Sequence, residues 1–255
     1  MSVRLVLWPA FFGLVLLAWV ALWVMGQEMR GMAGYGAVYG PEFWAALCRA
    51  GAADLALGPL AAMWGVMAAA MMLPTFVPAL ATFRSLPPPA GRLPEAAALV
   101  AGYLAVWAAA ALGFAALQRT LAMQGLLAPD GASLSGPLTA GLLALTGLYQ
   151  LTRLKSLFAS RCRTPMTHFV ERWRPGARAS LELGLRFGLD CLGCCWALML
   201  VAFVGGMSNL LFMGLATLIM VLEKLPGVGR PLTRPLGHAL LAAAAIVLMR
   251  SVGGT

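Results

Sequence analysis

The chain has 255 residues, of which 61% are hydrophobic and only 11% charged, and its mean hydropathy is +0.85. A soluble domain of this length has too little interior to hide so much apolar side chain, so composition excludes a soluble enzyme, a disordered chain and a disulfide-rich secreted module, and leaves a polytopic membrane protein. Eighteen Lys and Arg against nine Asp and Glu give a formal charge of +9, which in a membrane protein reads as loop charge that sets topology and not as affinity for nucleic acid.

A bilayer core about 30 Å thick asks for about 20 apolar residues per helix. Seven segments meet or approach that length, and they predict an all-α bundle of about seven spans forming one transmembrane domain over 1–255. Segment 5–25 has no small-residue cleavage site and too long an apolar run for a signal peptide, so it reads as an anchor. The outer connection 26–55 is rich in Gly and carries Tyr35, Tyr39, Phe43 and Trp44; it is expected to lie on the outer membrane surface, with a short interfacial helix at 41–54. Segment 57–83 is interrupted by Pro74 and Pro78, and a stiff Pro87-Pro88-Pro89 turn follows. Next come 96–117 and the short 138–154, then a basic inner connection, 153–182, whose seven positive charges read as topology plus contact with anionic lipid. Segments 185–203, 207–222 and 235–249 complete the set; only Gly205-Gly206 and Ser208-Asn209 separate the first two, so fusion of that pair is the alternative. With the N-terminus inside, thirteen Lys and Arg fall on inner connections against four on outer ones, which favours N-inside.

The chemistry lies in sulfur at helical spacing. Cys191, Cys195 and Met199 are spaced i, i+4, i+8 and share a helix face, with Cys194 beside it and Gly193 opposite, open to a close neighbour. Thiolate and thioether are soft ligands suited to Cu(I) and zinc, and methionine favours copper. Segment 57–83 repeats the pattern with Met63, Met67 and Met71, Met72 adjoining, just before Pro74, which frees a carbonyl and bends the axis. A third stripe, Met25, Met29 and Met32, closes the first span. The three stripes read as an outer collecting site above an inner cluster of Met67, Met71, Cys191, Cys194 and Cys195 holding copper(I). A single Met stripe is more often core filler, and a Cys191 disulfide to Cys194 or Cys195 is a further option. Asp190 sits inside the inner interface, where a carboxylate is either paired or functional; Arg186, four residues back, is the expected partner. Glu223-Lys224 reads as ordinary surface charge, and Cys162, between Arg161 and Arg163, either passes metal inward or has no role.

The strings Met71-Met72-Leu73-Pro74, Tyr149-Gln150-Leu151-Thr152, Cys162-Arg163 before Pro165, Cys191-Leu192-Gly193-Cys194-Cys195-Trp196, Gly205-Gly206-Met207 and Glu223-Lys224 resemble a bacterial family of predicted metal-binding integral membrane proteins linked to copper delivery for copper oxidases. The resemblance runs from about 60 to 235. It implies a multi-pass protein of the bacterial inner membrane, not an enzyme, that carries copper(I) to a copper-dependent oxidase or other membrane-complex subunit. The family pattern places a histidine four residues before the first cysteine; here Phe187 stands there, and Asp190 is the candidate substitute. Two other classes compete: a non-catalytic accessory subunit of a larger membrane complex, and a membrane thiol oxidoreductase using Cys191 and Cys194.

Overall fold

A computed structural model describes residues 3–29, 56–86, 92–128, 130–207 and 209–253. These residues are helical apart from connecting turns and one bridge between Leu127 and Ser133. The helices are α1 (Val3–Met29), α2 (Leu57–Arg84), α3 (Leu93–Met123), α4 (Gly136–Leu151), α5 (Arg153–Arg163), α6 (Pro165–Arg172), α7 (Ala177–Leu200), the single turn α8 (Ala202–Gly205), α9 (Leu210–Lys224) and α10 (Gly229–Gly253).

Among the described residues, four helical stretches are long and apolar enough to cross a membrane: α2, α3, α7 with α8, and α10. Helix α1 contributes the shorter apolar stretch Trp8–Val24. Helices α4 and α9 have 16 and 15 residues, a rise of only about 24 and 22 Å at 1.5 Å per residue. The all-helical architecture is therefore as expected, and four of the seven expected segments have spanning dimensions. Segments 185–203 and 207–222 are separate helices: Gly206, with φ +80°, turns the chain, and the Asn209 side chain caps α9 by accepting from the Phe212 amide at 3.2 Å.

Small residues bring the helices together. Helix α3 packs along α7, where Gly184 lies on the Leu99 carbonyl and Gly102 on the Leu181 carbonyl, so closely that a Cβ on either would meet backbone. Gly147 and Gly237 do the same for α4 against α10. Helix α2 packs on α3, and α1 on α2. The carbonyl that Pro74 leaves without its helical donor is that of Ala70, and the Trp19 indole of α1 donates to it at 3.1 Å. The proline thus supplies a docking point for the first helix as well as a bend.

The basic connection 153–182 is more ordered than its sequence suggests. Lys155 and Arg163 turn inward, while Arg153, Arg161, Arg172, Arg174 and Arg178 stay exposed. The connection folds into α5, α6 and the start of α7, and α5 packs across α7 with the Phe158 ring seated on Gly193. Lys155, Cys162, Arg163 and Phe169 are buried. Helix α5 alternates a basic outer face with a face bearing Lys155, Ala159 and Cys162, spaced to point one way.

Candidate functional site

Five helices, α2, α3, α5, α7 and α9, meet around four thiols. Cys191, Cys194 and Cys195 come from α7 and Cys162 from α5, and all four are buried free thiols. The alternative of a disulfide from Cys191 to Cys194 or Cys195 is not realised among the described residues. The Cys194 and Cys195 sulfurs are 3.1 Å apart, and Cys162 lies within hydrogen-bonding reach of both Cys191 and Cys194. Cys191, with burial adding and Cys194 opposing, holds the Cys162 thiol well above the usual cysteine value.

The cluster has a built polar wall. The Lys224 ammonium of α9 donates to the Cys191 sulfur at 2.9 Å and to the Thr75 hydroxyl of α2 at 2.7 Å. The Tyr103 hydroxyl of α3 lies 3.1 Å from the same sulfur and donates to the Met72 carbonyl at 3.0 Å. Thr75 also donates to that carbonyl, at 2.8 Å. Lys155 donates to the Cys194 carbonyl and, at 2.8 Å, to Glu223, with both side chains almost fully buried. Burial works against the charge of Lys155, but Cys194 and then Glu223 outweigh it and hold the lysine above its usual value. The Tyr149 hydroxyl donates to the Gly193 carbonyl. Glu223-Lys224 is therefore no ordinary surface pair: both residues are buried, one bracing α5 and the other facing the thiols.

The remaining sequence candidates are placed as follows. Met67, Met71, Met72 and Met199 are all buried, in the same core as the cysteines. Met72 reaches the cluster through its carbonyl. Helices α2 and α7 meet by side chains, as in the Phe76–Phe187 ring contact at 5.7 Å, while α3 packs against both. Met199 sits about 6 Å of axis beyond Cys195. Asp190 is paired with Arg161 of α5 at 2.9 Å instead of with Arg186, which lies on the exposed face of α7. Phe187 stacks among Phe76, Tyr103 and Phe169, an apolar wall where the family resemblance has a histidine. The side chains of Met25 and Met29, and all of Met32 with the rest of the outer connection, lie outside the described residues. Sequence reasoning underrated Cys162, Lys224, Glu223 and Tyr103. For Cys162 a signal existed, since Lys155, Ala159 and Cys162 share an α5 face; for the others only the fold reveals the convergence.

The donor set fits a soft monovalent cation: thiols in a dry interior, with a positive charge already facing one sulfur. Among the described residues no three His, Cys, Asp or Glu side chains are arranged as a ready-made metal site. The Lys224 ammonium already occupies a hydrogen-bonding position on the Cys191 sulfur. A family model described as a copper chaperone, PpoB2, matches residues 61–247. No curated protein and no solved structure matches the chain.

Proposed function

This chain belongs to that copper chaperone family, and from that membership we propose that it is a multi-pass inner-membrane protein, N-terminus inside, that binds Cu(I) as cargo and passes it to a copper enzyme on the outer side. Family membership implies a carrier and not a catalyst. The observation that carries the reading is the convergence of four buried free thiols, Cys162, Cys191, Cys194 and Cys195, around the Lys224 ammonium. Soft thiolates suit Cu(I) and exclude the hard cations. A cation that displaces Lys224 from Cys191 exchanges one positive charge for another at that sulfur.

Thioethers support a direction of travel. Met71 and Met72 lie beside Thr75, about one turn from the Lys224 contact, and Met67 and Met199 lie one turn farther toward the opposite end; all are buried. Met25, Met29 and Met32 at the end of the first span are the proposed exit, because thioether ligands release a cation without taking up a proton. Asp190, held by Arg161, orients α5 on α7 and is not needed as a ligand.

Elemental analysis of the purified full chain tests the reading. Wild type should retain copper after exposure to Cu(I) and desalting, and Cys191→Ser/Cys194→Ser/Cys195→Ser should retain none. Equal copper in the two proteins, both folded by circular dichroism, would refute it.

A further inference from the structure

A second polar site lies between the C-terminal end of α4, the outer face of α5 and the start of α10. It is an open cavity of about 720 Å³ lined by Gln150, Arg153, Arg163, Arg230 and Arg234, among others, with no Asp or Glu in its lining. We propose that this cavity binds a phosphate monoester or diester, either the headgroup of an anionic phospholipid or a free phosphate compound of the same chemistry.

Two independent observations meet there. Four arginines, Arg153, Arg163, Arg230 and Arg234, line the cavity, and no Asp or Glu does. Arg163 is fixed by donating to the Glu223 carbonyl at 2.7 Å and to the Thr233 hydroxyl at 3.0 Å, so it cannot swing away from its neighbours. The second observation is Gln150. Its side chain is 2% exposed, it lines the cavity, and neither its amide nitrogen nor its amide oxygen has a hydrogen-bond partner among the described residues. A buried amide with both ends unsatisfied is costly, and natural structures rarely keep one without a ligand. The missing partner must accept at one end and donate at the other. A phosphate ester carrying a free hydroxyl does both, its oxygens taking the Gln150 N–H and the guanidinium forks. Basic pockets between helices at the inner membrane face are the setting in which such headgroups are held. None of the four clustered cysteines lines the cavity, which is separate from the thiol site.

The test uses the full chain in detergent, titrated with phosphatidylglycerol in mixed micelles, with phosphatidylcholine as the zwitterionic control, and separately with inorganic phosphate. Arg230→Gln/Arg234→Gln should weaken binding about tenfold or more. The charge-matched pair Arg92→Gln/Arg178→Gln, remote from the cavity, should not. Gln150→Met should weaken binding while leaving the ligand-free melting temperature unchanged or raised, because the amide satisfies nothing in the protein. Selective binding of phosphatidylglycerol that follows this pattern supports a lipid site, and saturable binding of inorganic phosphate in the same pattern supports a soluble ligand. Equal loss in the two charge-matched pairs, or no saturable binding of either probe, overturns the proposal.

Discussion

Cys162 and Lys224 show how far a residue's role depends on what faces it. Each sits in a string that reads as surface: Arg161-Cys162-Arg163 and Glu223-Lys224. Yet Cys162 joins the thiols of α7, and Lys224 donates to Cys191. Cys162→Ser should therefore lower copper retention as far as Cys191→Ser does, whereas Cys48→Ser in the outer connection should leave it unchanged, as elemental analysis of the purified variants will show. Glu223 and Lys155 form a pair taken out of water, so removing one partner strands the other charge. Glu223→Leu is expected to cost about 3–5 kcal/mol of stability by that logic. Lys155→Met/Glu223→Leu should recover most of the loss, and thermal unfolding in detergent distinguishes the two; an additive double mutant would mean that the pair is not coupled.

At the scale of elements, the site is as good as the contact between α3 and α7. Tyr103 and Cys191 face each other because Gly102, Gly184 and Gly188 let two backbones approach where any side chain would separate them. Gly184→Val is expected to push the helices apart at a cost of about 1–3 kcal/mol, and to lower copper retention although no ligand is touched. The control is Gly141→Val on α4, where a Cβ meets nothing. A folded Gly184→Val protein with wild-type copper content would show that the cluster does not need this contact. The helix content and the proline bend could be read from sequence, since both are local: apolar length sets a helix, and a missing N–H sets the break. What closes the break was not local. Trp19 is 51 residues away from the Ala70 carbonyl it satisfies.

For the whole molecule, the bias of Lys and Arg predicts an N-inside chain with its C-terminus outside after seven crossings. A reporter fused to each end, active on one side of the membrane only, measures this; both ends on one side would mean that α1, with its shorter apolar stretch, or one of the short helices α4 and α9 does not cross. Composition alone determined an all-helical chain with stretches long and apolar enough to cross a membrane, because 61% hydrophobic residues exceed what a soluble interior holds, and the spacing of Cys191, Cys194 and Cys195 determined which face of α7 turns inward. Both are properties of residues close together in the chain. Only the tertiary structure decided that α5 folds onto α7 and brings Cys162 to that face, that Lys224 and Tyr103 arrive from two other helices, and that Asp190 is spent on Arg161. The periodicity of one helix specifies its apolar face but not which neighbour covers it; that choice is settled by close approach at a few glycines and by the need of every buried polar group for a partner from elsewhere in the chain.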